Sequence, residues 1–162
     1  MKYLGVLVLF LISYTVFAFV FSGTWHWLNP FLISLIFLYY SSSDPWIYYG
    51  AAFVFGLTLD AFSPGFAFYT LSFLLVLFLI SNLQLTIFSS KNTGTIIFLT
   101  LIANILFYFI YYFIYWLSDS LFYVLSWSMI LSISRFILLD TLLVVVFYVL
   151  YFNLWLKKHS SA

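Results

Sequence analysis

Long apolar runs, separated by short polar breaks, decide what this chain can become. Hydrophobic sequence extends from about Tyr3 to Phe21, Leu28 to Tyr40, Trp46 to Leu59, Phe66 to Phe88, Thr95 to Leu117 and Phe136 to Leu156, with breaks such as SGTWHWLNP, SSSDP, DAFSPG, SSKNTG and SDS between them. A helix of about 20 residues crosses the roughly 30 Å hydrocarbon core of a bilayer, so these runs read as membrane spans. Only 6% of the residues are charged, against roughly 25% in ordinary soluble domains, and mean hydropathy is +1.21. Too little polar surface remains to clothe a water-soluble globule. The expected fold is an all-α integral membrane protein, a six-helix transmembrane bundle forming one polytopic domain over residues 1–162.

The first run begins with one lysine and imitates a signal peptide, but its apolar stretch is long and lacks an A-x-A-like cleavage site, so it reads as a retained span. The second and third runs are short: they must borrow flanking residues such as Trp25, Trp27 and Trp46, thin the membrane, or turn back. Positive charges set the orientation. With six spans and a cytoplasmic N-terminus, Lys2, Lys91, Lys157 and Lys158 all face the cytoplasm and only Arg135 is left over. The stretch 121–134 would reverse that arrangement as a further span, so it is expected at the outer interface or packed against the bundle.

Composition excludes several functions. There are no cysteines, which removes disulfides, thiolate metal sites and thiol nucleophiles. A net charge of +1 gives no footing for nucleic acid. His26 sits between two tryptophans at an interface and His159 near the other end, so they do not meet. No triad-like set, metal cluster or Gly-rich phosphate loop is visible, and no catalytic residue, metal or cofactor is expected.

The residues that stand out concern packing and buried charge. Ala52, Gly56 and Asp60 lie four apart and share one helical face, the first two forming a small-xxx-small pair that admits a neighbouring backbone. That neighbour belongs either to this bundle or to another chain. Asp60 precedes Ala-Phe-Ser-Pro-Gly, where Pro64 and Gly65 favour a turn, so its expected role is to accept hydrogen bonds from the amides that open the next helix. Arg135 and Asp140 are the ionised groups of the last apolar region, expected as buried polar residues with separate partners because a spacing of five does not stack on one face. Asp60 and Asp119 are the candidate counter-charges for Arg135. Asn29-Pro30 is an ordinary helix start.

Asn29-Pro30 opening a short apolar helix, then Trp46, Gly50 and Gly56, then Asp60, Ser63 and Gly65 in the following turn, resemble the family of the bacterial rod shape-determining protein MreD. The likeness is densest over residues 29–70, where Gly50, Gly56 and Asp60 reproduce the spacing of glycine, five residues, glycine, three residues, aspartate. Phe66 and Ala67 stand where that family often carries a further glycine or small residue. The resemblance implies a non-catalytic scaffold of the cell-elongation and peptidoglycan-synthesis machinery, in the bacterial inner membrane with both termini cytoplasmic. Pro30, Gly50, Ala52, Gly56, Asp60 and Gly65 would serve packing or the partner interface. The implied partners are membrane lipid, a single-span protein of the MreC type and, through it, a RodA-type glycosyltransferase with its transpeptidase. The family is also similar in fold to the S components of energy-coupling-factor vitamin transporters, which supplies the alternative: a polar cavity under the outer loops, lined by Asp60, Ser63, Asn104, Asp119 and Arg135.

Overall fold

A computed structural model describes residues 2–21, 29–63, 67–86, 93–119 and 127–151. The readings made at Trp25, His26, Trp27, Pro64, Gly65, Phe66, Lys91, Lys157, Lys158 and His159 lie outside the described residues.

Six helices make up the described residues: α1 (Lys2–Phe21), α2 (Pro30–Ser41), α3 (Pro45–Asp60), α4 (Phe68–Thr86), α5 (Thr93–Asp119) and α6 (Trp127–Tyr151). Three stretches, Phe68–Thr86, Gly94–Leu117 and Ile130–Leu150, are long and apolar enough to cross a membrane. The protein is therefore an all-helical membrane protein.

α2 and α3 start alike. Each has proline in its first turn, where no amide is lost, and a side chain just before it that accepts a hydrogen bond: Asn29 from the Leu32 amide at 3.1 Å, Asp44 from the Trp46 amide at 3.1 Å. α6 departs from expectation. It begins at Trp127, nine residues before the expected start at Phe136, so residues 127–134 are its first turns, while 121–126 lie outside the described residues. The serines that break the apolar pattern there are accommodated within the helix: the hydroxyls of Ser132 and Ser134 donate back to the carbonyls of Ser128 and Leu131.

The short α2 is the centre of the bundle. Ten of its twelve residues are buried, and it meets all five other helices. Its Ser34 hydroxyl is 2.6 Å from that of Ser13 on α1, its Tyr39 hydroxyl donates to Gln84 Oε1 on α4 at 2.5 Å, and its Tyr40 side chain lies beside Thr100 of α5 and stacks edge-on with Tyr148 of α6. It also packs along α3. A helix ringed by protein does not have to match the bilayer, because its neighbours rather than lipid set its surroundings. That resolves how an apolar helix of twelve residues fits in this fold.

α3 and α4 form the most extensive pair, and α4–α5 and α5–α6 continue the chain of neighbours. The core is aromatic and aliphatic, with Phe31, Phe55 and Phe73 fully enclosed; Phe31 and Phe55 pack at 5.4 Å between ring centroids.

Candidate functional site

Two constellations carry the polar groups that the sequence singled out. The first is the α3–α4 turn. Asp60, the last residue of α3, reaches across to the opening of α4: Oδ1 accepts from the Tyr69 amide at 2.8 Å, and Oδ2 accepts from the Thr70 amide at 3.0 Å and the Thr70 hydroxyl at 2.6 Å. The residue before α4 is Ala67, which has no side-chain acceptor and stands at φ 63°. Asp60 thus does, from the preceding helix, what an N-cap side chain does locally, and its charge meets the positive end of the α4 dipole.

Gly56 is one turn earlier on the same face. A Cβ there would stand 2.7 Å from Thr70 Oγ1 and 2.8 Å from Thr70 N, and would run into Thr70 Cα. Ala52 beside it is fully buried. The backbone that the small residues admit is therefore this chain's own α4. Gly50 differs. It is exposed, and a Cβ added there would meet nothing within 4 Å. Pro30 is buried at the start of α2. Ser63 is half-buried in the turn, and its amide bonds to the Asp60 carbonyl at 3.2 Å.

The second constellation lies between α2, α5 and α6. Thr100, Asn104 and Tyr108 recur every four residues and so line one face of α5. Asn104 is fully buried, and its amide nitrogen donates to the Thr100 carbonyl at 3.0 Å and to Thr141 Oγ1 on α6 at 3.3 Å. Asp140, next to Thr141, is 1% exposed. Its carboxylate is flanked by Tyr108 of α5 and faces the backbone N–H of Asn29 at the head of α2. Neither carboxylate oxygen accepts a well-formed hydrogen bond, and the same holds for Asn104 Oδ1.

Asp140 is thus buried as expected, but Arg135 is not. Arg135 is exposed, on the side of α6 that also shows Leu131, Leu138 and Leu142. Successive helical residues turn by 100°, which points positions 131, 135, 138 and 142 one way and Asp140 another. Arg135 makes no ion pair with a described residue, and Asp60, its candidate counter-charge, is committed to α4.

Of the residues proposed to line a vitamin-like pocket, Asp60, Asn104 and Arg135 do not converge. Asp60 belongs to the α3–α4 turn, Asn104 to the α5–α6 seam, and Arg135 to the outer surface. A cavity of about 460 Å³ does exist between α5 and α6, bounded by Tyr108, Tyr112 and Trp116 on one helix and Ile130, Ser134 and Ile137 on the other. It begins where α2 ends: Asn29 faces the middle of α6, so the α5–α6 cleft beyond that level has no α2 residue in it. Its walls are almost wholly hydrocarbon and aromatic carbon.

Sequence reasoning missed the tyrosine cluster at the other end of α2, where Tyr39, Tyr48 and Tyr49 pack ring to ring and the Tyr49 hydroxyl lies 3.3 Å from that of Ser81. The doubled tyrosines at 39–40 and 48–49 were the available signal. Among the described residues no group of three histidines, cysteines or acids is placed to hold a metal ion. Comparison with protein-family models, curated proteins and solved structures gives no match.

Proposed function

We propose that the protein is a non-catalytic membrane scaffold of the bacterial cell-elongation machinery, of the MreD type, holding a single-span MreC-like partner against α3 and acting through it on a RodA-type glycosyltransferase and its transpeptidase. On this reading it resides in the inner membrane, crosses it six times and keeps both termini in the cytoplasm. The observation that carries the reading is the contrast between the two glycines of α3. Gly56 is used up inside the bundle, but Gly50 leaves an open notch on an outward face flanked by Trp46, Phe53, Val54 and Leu57, all about half or more exposed. Glycine weakens a helix relative to alanine, by roughly 0.5–1 kcal/mol in water, and between membrane helices its use is close backbone approach. Nothing among the described residues takes up that approach.

The S-component reading draws no comparable support, since an almost wholly apolar cavity offers few directional partners to a polar vitamin. The scaffold reading is tested by co-purifying the tagged protein with a single-span MreC-type partner. Gly50→Leu should sharply lower the yield of partner while the protein's own thermal midpoint stays near wild type; unchanged yield would overturn the assignment of this face.

A further inference from the structure

Asp140 is buried without the contacts that such a group requires. An ionised carboxylate removed from water costs several kcal/mol unless it is paired or hydrogen-bonded, and partners within membrane domains are usually a base or a set of donors. Two of the side-chain donors beside it are engaged elsewhere. The Asn104 amide serves Thr100 and Thr141, and the Thr141 hydroxyl serves the Ile137 carbonyl at 2.6 Å. Four buried oxygens along this seam make no well-formed hydrogen bond: both oxygens of Asp140, Oδ1 of Asn104 and Oγ1 of Thr100. The head of α2 contributes about half a positive charge, which leaves the carboxylate roughly half uncompensated. Among the described residues the basic side chain nearest in sequence, Arg135, is turned away to the surface.

A guest that completes this site must bring positive charge and no acceptor of its own. The open groups are all oxygens, with neither imidazole nor thiolate among them, which suits a hard cation. One carboxylate balances one unit of charge. We infer that Asp140 and Asn104, flanked by Thr100 and Tyr108 on α5, form a binding site for a hard monovalent cation of the sodium kind at the junction of α2, α5 and α6. Such an ion ties the head of α2 to the α5–α6 pair, independently of which protein docks on α3.

The test uses the full chain in detergent and two readouts. Thermal unfolding in sodium chloride is compared with N-methyl-glucamine chloride and potassium chloride at equal ionic strength. At about 100 times the dissociation constant, sodium should raise the midpoint by roughly 5–10 °C, and Asp140→Asn should abolish the difference. The second readout needs no variant: modification of Asp140 by a hydrophobic carbodiimide, followed by mass spectrometry, should slow about tenfold at ten times the dissociation constant. A sodium shift that survives in Asp140→Asn places the ion elsewhere and overturns the site. So does carbodiimide labelling at equal rates in sodium and N-methyl-glucamine, which would mean that water or a proton alone satisfies the carboxyl; if the variant does not fold, the labelling result decides.

Discussion

The Asp60 latch predicts a specific and graded loss of stability. Asp60→Ala removes the acceptor for the Tyr69 amide, the Thr70 amide and the Thr70 hydroxyl at once. Two helix-opening amides and one hydroxyl then lose their partner at about 1–2 kcal/mol each, with water at the chain turn recovering part of that, so the net cost is about 2–4 kcal/mol. For a chain of this size a kcal/mol moves the midpoint by about 2–4 °C, which gives a fall of roughly 5–15 °C. Asp60→Asn keeps one acceptor oxygen and loses the charge; since charge-assisted bonds are about twice as strong as neutral ones, it should cost about half as much. Thr70→Ala, which keeps both amide bonds and loses only the hydroxyl, should cost about 1 kcal/mol. The assay is thermal unfolding of the purified protein in detergent, followed by the loss of monodisperse material on size exclusion. A midpoint for Asp60→Ala within about 2 °C of wild type would refute the capping role. Equal losses for all three variants would refute the division of labour between the two oxygens.

Two further outcomes follow from the same corner. Gly56→Ala forces α4 away from α3 and should cost about 1–3 kcal/mol, whereas Gly50→Ala meets open space and should be neutral or slightly stabilising; equal effects on the thermal midpoint would contradict the packing described. Ala67→Gly relieves a left-handed backbone at a residue with a Cβ, worth about 1 kcal/mol, so its midpoint should rise by a few degrees, and a fall would argue against that conformation.

Much of this corner was legible because its causes are local in sequence. The turn after Asp60 and the four-residue spacing to Gly56 and Ala52 suffice to place a carboxylate at a helix opening and small residues on one face. What the spacing does not carry is the owner of the opposing backbone; Thr70 supplies it, and only the α3–α4 packing shows that. The start of α6 was misread for a different reason. Serines at 128, 132 and 134 look like a break in hydrophobicity, but a serine hydroxyl can bond to a carbonyl three or four residues back, so the helix passes through them. Arg135 was misplaced because charge in an apolar run suggests a buried partner, while the helical phase that turns it outward depends on which face α5 and α2 cover. The meeting of Asn29 with Asp140 joins residues far apart in the chain, and no periodicity connects them.

Three of the four acidic residues turn out to stand at helix openings: Asp44 before α3, Asp60 before α4, and Asp140 against α2. In lipid the free amides of a first turn find no water, so each opening needs an acceptor from the protein, and a chain this poor in charge places its carboxylates there. The three differ in how completely they are used. Asp44 and Asp60 make hydrogen bonds, but α2 already has Asn29 as its local cap, with the Leu32 amide on its side chain. Asp140 faces the same opening without a well-formed hydrogen bond. A buried carboxylate left short of hydrogen bonds is not accounted for by capping, and this shortfall, rather than its mere presence in the membrane domain, is what points to a bound cation.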